Sequence, residues 1–192
     1  MAEYNQRHSK ATTILALIPA YNEAERITAV ITGTRALLPV LVVDDGSTDD
    51  TAAISSALGA EVLRQLPNQG KGAALLAGFR YALEMGYQAV VTLDADGQHD
   101  PQEIPLFIHA FEEGADLVIG MRDFKKMPFP RNISNTIGTW LFSWALGQYC
   151  PDNQSGYRLH SRRMIETSLQ SAETNFEFEV EIITRCVEQG YL

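Results

Sequence analysis

Two carboxylates one residue apart, Asp94 and Asp96, follow the apolar run Ala89 to Leu93 and precede Gly97, Gln98, His99 and Asp100-Pro101. Oxygen donors at that spacing suit a hard divalent cation, Mg²⁺ or Mn²⁺, held jointly by the protein and a substrate diphosphate. The competing reading is a polar turn whose acids cap the next helix. Asp100, with Pro101 at the first helical position and Glu103 three residues past the cap, already fills that role. Asp94 and Asp96 are thereby left for other work. A second acidic strand end, Asp44-Asp45-Gly46-Ser47, follows Val40 to Val43. Gly46 permits the turn, and Ser47 or Thr48 is available to cap the following helix. After Pro19, Tyr21 offers a flat face for stacking and Glu23 can accept hydrogen bonds; alternatively both are simply helix-entry residues. Asn68-Gln69-Gly70-Lys71-Gly72 has the look of a phosphate loop but lacks the full glycine spacing and the Ser/Thr after the lysine, which argues against a mononucleotide P-loop. Lys71 is still expected near a ligand, because free N–H groups at a helix start attract anions.

The elements that must position these residues alternate. Apolar runs at 13–18, 40–43 and 89–93, with 116–120 and a weaker one at 61–64, read as strands. Helices are expected over about 23–37, from the Asn68–Gly72 stretch to about 85, and over about 101–113. Strand–helix alternation up to residue 120 predicts an α/β fold with a mostly parallel, doubly wound sheet and helices on both faces. The carboxyl ends of such strands are where open α/β sheets bind ligands. The pattern changes at Met121. Residues 121–131 are basic and contain Pro128 and Pro130, so a loop is expected. Ile133 to Tyr149 reads as a helix with Trp140 and Trp144 on one face, either core or the rim of a membrane interface. Pro151 to Arg158 reads as a polar turn before a short strand. In the last helix, Glu177 and Glu181 are in i,i+4 register, an unfavourable pair that calls for a basic partner.

Composition bounds the function. The 192 residues are 45% hydrophobic and 20% charged, with net charge −9, which argues against a nucleic-acid binder. The charge is uneven: residues 121–163 hold seven of the 15 Lys and Arg but two of the 24 Asp and Glu. A basic region on an acidic chain suggests a site for an anionic partner. Cys150 and Cys186 have no metal-ligand or redox spacing and read as structural thiols of a reducing compartment. Met1 to Thr12 is polar with no signal-peptide core, and no run reaches the length of a membrane span. The expectation is a polar tail, 1–12, and one cytoplasmic domain, 13–192.

Four pieces in order, Pro19-Ala20-Tyr21-Asn22-Glu23, Asp44-Asp45-Gly46-Ser47, Asp94-Ala95-Asp96-Gly97-Gln98-His99 and Gln154-Ser155-Gly156-Tyr157-Arg158, resemble glycosyltransferase family 2. They are most similar to its dolichyl- and polyprenyl-phosphate sugar transferases. The resemblance covers about residues 13–190. It implies a GT-A type nucleotide-diphospho-sugar transferase fold, a divalent metal and inversion at the anomeric carbon. It divides the chain into a nucleotide-sugar and metal half, 13–120, and an acceptor half, 121–192. Such enzymes usually continue past the point equivalent to Leu192, so the acceptor half is expected to be incomplete. Residue by residue, it implies that Pro19, Tyr21 and Glu23 frame the nucleotide and that Asp44 and Asp45 hold base or ribose. Asp94, Asp96 and Gln98 bind metal and diphosphate, with Lys71 and Ala95 also against the nucleotide-sugar. Arg122, Arg131 and Ser134 bind the acceptor phosphate, and Arg158, after the Ser155-Gly156 turn, is a further phosphate candidate. Asp96, Arg131 and Asp152 are the candidate catalytic residues.

The chemistry follows from the reaction. An anionic phosphate acceptor needs positive charge to hold it and no strong base, whereas a hydroxyl acceptor needs a carboxylate base, for which Asp152 is the candidate. The expected function is therefore metal-dependent hexose transfer from a UDP- or GDP-sugar to a polyprenyl phosphate, by a protein peripheral to the cytoplasmic membrane face. The alternatives are the same fold acting on a soluble hydroxyl acceptor, or a nucleotide-binding module without catalysis. A sugar nucleotidyltransferase is disfavoured, because Pro19-Ala20-Tyr21-Asn22 stands where its glycine- and arginine-rich loop belongs.

Overall fold

The structure, a computed structural model, describes residues 13–121, 152, 155–171 and 178–191. The elements in chain order are β1 (Ile14–Ala20), α1 (Ile27–Arg35), β2 (Val40–Asp44), α2 (Thr51–Ala57), β3 (Glu61–Arg64), α3 (Lys71–Glu84) and β4 (Ala89–Thr92). A 3₁₀ turn (Pro101–Glu103) leads into α4 (Ile104–Glu112), followed by β5 (Leu117–Ile119), β6 (Arg158–Ser161), α5 (Arg162–Ser168) and α6 (Phe178–Glu188). Six strands form one sheet in the order β3-β2-β1-β4-β6-β5.

Alternation along β1 accounts for the layers. Successive side chains of a strand point to opposite faces. Ile14, Ala16, Ile18 and Ala20 pack into one core with Ile27, Val30 and Ile31 of α1 and Ile104 and Phe107 of α4. Leu15 and Leu17 pack into the other, with Leu75, Leu76 and Phe79 of α3, Met164 and Ile165 of α5, and Phe178 and Ile182 of α6. A strand covered on both faces reads as a continuous apolar run, as the sequence of β1 does.

β1, β2, β3 and β4 pair in parallel, as alternation predicts. The far side differs. β6 is antiparallel to both β4 and β5, so the sheet is mixed and, among the described strands, β5 reaches it through β6. The other departures are local. α1 begins at Ile27, not Glu23, since residues 24–26 form a turn. α2 is not capped by Ser47 or Thr48: the Asp49 carboxylate accepts the Thr51 N–H at 3.0 Å, which leaves those two free to bind the loop after β1. Asp100 caps the 3₁₀ turn as expected, accepting from the Gln102 N–H at 2.9 Å. The Trp140/Trp144 segment and Cys150 lie outside the described residues, and Cys186 is a buried free thiol.

Candidate functional site

Because β1, β2 and β4 are parallel neighbours, their carboxyl ends share one edge of the sheet. Sheet order reverses between β1 and β4, the switch point at which a crevice opens. A cavity of about 390 Å³ lies there, lined by Pro19 near the end of β1, Tyr21 and Glu23 after it, Asp45 after β2, Lys71 at the start of α3, and Asp94, Ala95 and Asp96 after β4, with Ala20, Asn68, Gly70 and Ala74 completing the wall. Eight residues singled out from the sequence are thus brought together.

The loop after β1 is locked to the loop after β2. Asn22 holds a positive φ of 56°, a conformation asparagine tolerates. Its N–H donates to Ser47 Oγ at 2.9 Å and its Oδ1 accepts the Thr48 N–H at 2.8 Å. The Glu23 N–H donates to Thr51 Oγ1 at 2.8 Å. Tyr21, half exposed, lines the cavity.

The paired acids at the end of β2 diverge. Asp44 is fully buried; it accepts from Arg64 Nε and the Ser47 N–H, at 2.8 and 3.1 Å. It does not line the cavity, which corrects its assignment to base or ribose: it braces the turn. Asp45 does reach the cavity, but its two oxygens accept the Gln69 and Gly70 N–H groups at 2.8 and 2.7 Å. The donors expected to attract a phosphate ahead of α3 are therefore occupied by the protein's own carboxylate. Gly46 (φ 80°) makes this possible, since a Cβ there would stand 3.0 Å from the Asn68 nitrogen.

The loop after β4 is held by its own histidine. His99 Nδ1 accepts the Asp94 N–H at 3.1 Å, and its ring stacks on Tyr157 with centroids 4.9 Å apart. Tyr157 packs on Phe107 and donates its hydroxyl to the Asp100 carbonyl at 2.9 Å. Burial, reinforced by Glu103 and Asp100, pushes its phenol well above the usual range, so it stays a neutral donor. Asp96 accepts from the backbone N–H and the side-chain amide of Gln98, at 2.9 and 2.8 Å. Gln98 is exposed and does not line the cavity, so it braces Asp96 instead of facing the cavity as a third ligand.

Lys71 Nζ lies 2.6 Å from Asp94 Oδ1 and 3.1 Å from Glu179 Oε1. Burial opposes its charge, but Glu179 and then Asp94 outweigh that and hold its pKa above the ordinary value. Lys71 is a permanent cation at the cavity wall. Among the described residues no three His, Cys, Asp or Glu side chains converge as a metal cluster. Asp94 and Asp96 nevertheless fit a hard cation whose remaining ligands are phosphate oxygens and water, since Mg²⁺ is commonly held by one or two carboxylates plus a substrate's phosphates.

Other assignments divide. Arg158 is buried on β6 and donates to the carbonyls of Ser155 and Glu179. It is an internal tie, not an acceptor-phosphate ligand. Asp152 is buried; Arg122, Arg131 and Ser134 lie outside the described residues. The basic partner sought for Glu177 and Glu181 is found elsewhere: Glu181 pairs with Arg185 of its own helix at 2.7 Å, Glu177 is outside the described residues, and the cation from a distant segment meets Glu179. Sequence reasoning missed Glu179, His99 and Gly156. The last two stand inside quoted motifs, but only the fold puts a Gly156 Cβ within 2.8 Å of both Asp94 oxygens and Lys71 Nζ.

Comparison with known proteins agrees. Residues 16–170 match the family described as Glycosyl transferase family 2. Polyprenol monophosphomannose synthase of Mycolicibacterium smegmatis is 32% identical, the match covering 92% of this chain and 73% of that protein. Undecaprenyl-phosphate mannosyltransferase of Micrococcus luteus is 33% identical over 92% of this chain and 79% of its own. Among solved structures, glucosyl-3-phosphoglycerate synthase of Mycobacterium tuberculosis in complex with Mn²⁺, UDP-glucose and phosphoglyceric acid superposes with a TM-score of 0.77 at 23% identity, covering 98% of this chain and 69% of that one. That likeness establishes the GT-A fold. With acidic strand ends and a lysine converging on one cavity at the switch point of such a sheet, and with these relatives, the chain belongs to glycosyl transferase family 2 and is a glycosyltransferase.

Proposed function

We propose that the chain transfers a hexose from a UDP- or GDP-sugar to a polyprenyl phosphate, with inversion at the anomeric carbon. The observation that carries the donor side is the meeting of Asp94, Asp96 and Lys71 in the cavity at the strand ends. The acceptor side is supported by the basic segment 121–163 and by two relatives whose names specify polyprenol and undecaprenyl phosphate mannosylation.

In this reading the nucleotide lies along Pro19, Tyr21 and Glu23, with its base against the Tyr21 ring and the loop fixed by Asn22, Ser47 and Thr51. Asp94 and Asp96 hold Mg²⁺ or Mn²⁺, as the glucosyl-3-phosphoglycerate synthase complexes with Mn²⁺ or Mg²⁺ and UDP suggest. Bound there, the ion offsets charge on the departing nucleoside diphosphate. Lys71 adds a fixed positive charge at the same wall, useful where negative charge grows during reaction. The bond from the anomeric carbon to the diphosphate breaks, through an oxocarbenium-like transition state. A bond to an acceptor phosphate oxygen forms on the opposite face. That oxygen is already anionic, so no proton has to be removed; Arg122, Arg131 and Ser134 are the proposed ligands of the phosphate. The enzyme works at a membrane surface, where its lipid acceptor resides. None of the described helices is long and apolar enough to cross a membrane.

A screen of radiolabelled UDP- and GDP-sugars with Mg²⁺ or Mn²⁺ tests this reading, using polyprenyl phosphate as acceptor. Label is expected in an acid-labile, organic-soluble product with one of the two donor classes. Transfer only to water-soluble hydroxyl acceptors would replace the lipid-phosphate reading with one in which Asp152 acts as base.

A further inference from the structure

Glu179 is absent from the lining of the cavity, yet it reaches the cavity's lysine. It lies in the first turn of α6 and is only 8% exposed, an unfavourable place for a carboxylate unless it is paired. Its Oε1 pairs with Lys71 Nζ at 3.1 Å. Its backbone is fixed too, because the buried Arg158 guanidinium donates to the Glu179 carbonyl and to the Ser155 carbonyl. Between those anchor points, the Gly156 carbonyl accepts the Thr92 hydroxyl at 2.8 Å, and the Gly156 backbone packs against Asp94 and Lys71. The ties run in sequence: β6 holds the start of α6, α6 holds Lys71, and Lys71 faces Asp94.

We propose that Glu179 is a positioning residue of the donor site. It keeps the Lys71 ammonium at the cavity wall, shared between two carboxylates, so that the cation stays fixed beside Asp94. The inference rests on reading the cavity as the donor site. Lysine is a compact charge on a flexible stem. Without Glu179 the ammonium keeps Asp94 as its one carboxylate partner among the described residues, its hold loosens, and the fixed positive charge at the cavity wall is lost. A merely architectural α3–α6 ion pair has a different signature: its loss lowers stability and leaves nucleotide affinity alone.

The test is calorimetric titration of UDP and of GDP, each with Mg²⁺, into wild type, Glu179→Gln, Lys71→Met and the double variant, with a melting temperature for each. Glu179→Gln is expected to weaken nucleotide binding about tenfold, the scale of one charge-assisted contact, and Lys71→Met at least as much. The double variant is expected to bind no more weakly than Lys71→Met, because residues acting through one another are not additive. Glu179→Asp, which keeps the charge but draws it back, is expected to lie between Glu179→Gln and wild type. Unchanged affinity in Glu179→Gln, or losses that add fully in the double variant, overturns the proposal. If Glu179→Gln does not fold, Glu179→Asp takes its place, and wild-type affinity there overturns it equally. Failure of the wild type to bind either nucleotide counts against the donor-site reading itself. Positioning is then decided by the rate at which an amine-acylating reagent modifies Lys71, followed by peptide mass. That rate is expected to rise several-fold in Glu179→Gln, or in Glu179→Asp where that variant stands in; an unchanged rate overturns the proposal.

Discussion

At position 156 the backbone runs so close to the Asp94–Lys71 pair that a Cβ would stand 2.7 Å from Asp94 Oδ2 and 2.8 Å from Lys71 Nζ. Both neighbours are side-chain ends, so Gly156→Ala is expected to displace them without unfolding the chain. Turnover should fall about tenfold or more, as expected when a reacting group is misplaced by an ångström, with a melting temperature near that of wild type. Asp96→Asn is expected to abolish turnover with the fold intact, and chelator should weaken nucleotide-sugar binding strongly in the wild type. Equal affinity for nucleoside diphosphate with and without metal would count against a metal at Asp94 and Asp96. For the acceptor, Arg131→Lys keeps charge but loses the bidentate fork. It should impair acceptor use about tenfold or more while sparing nucleotide-sugar binding, and Asp152→Asn should be mild. The reverse pattern points to a hydroxyl acceptor. The cavity-lining acids were legible because a carboxylate at the end of a buried strand is costly unless a cap, a cation or a ligand uses it. Asp44 and Arg158 were not. One of two adjacent acids points inward by strand register, and Arg158 reads as surface charge until its strand is seen to be buried. Glu179 meets Lys71 only through the tertiary fold, so no spacing announces it.

At the scale of elements, α3 lies against β1 through a glycine. A Cβ on Gly78 would stand 2.3 Å from Leu17 Cδ1. Gly78→Ala gains about 1 kcal/mol of helix propensity, but overpacking a filled core costs about 1–3 kcal/mol, so a net loss of stability is expected in denaturant titration. On β6, His160 is buried edge-on to Phe79, and its Nδ1 has no hydrogen-bond partner among the described residues. Burial, helped by the Arg158 charge, lowers its pKa from 6.5 to about 3. The unfolded chain therefore takes up a proton below about pH 6.5 that the folded chain refuses. This group's contribution is fully present above that pH and is lost progressively as pH falls toward 3. His160→Leu should flatten the decline in melting temperature between pH 7 and pH 4. Helices and the parallel strands were readable from period and punctuation. The antiparallel course of β6 was not, because alternation of strand and helix ends at residue 120 and pairing partners lie far apart in sequence.

Over the whole molecule, charge is segregated: residues 121–163 are basic on a chain whose net charge is −9. Juxtaposed lysines and interfacial tryptophans favour anionic membrane surfaces. Wild type is expected to float with anionic vesicles and to lose that property when Trp144→Ser is combined with neutralised Lys125 and Lys126. Lack of flotation by the wild type argues against peripheral attachment through this segment. The sheet order has a further consequence, for biosynthesis. Among the described residues β5 pairs with β6 alone, and one edge of β4 is likewise completed by β6. On the ribosome, a nascent chain that has emerged as far as Ile119 therefore still lacks the described partner of β5 and of that edge of β4, which is Arg158 to Ser161. Open edges recruit foreign strands, and domains form as synthesis proceeds. The interval between β5 and β6 is thus when this chain most needs a chaperone, and slowed translation across residues 120–157 should lower its soluble yield.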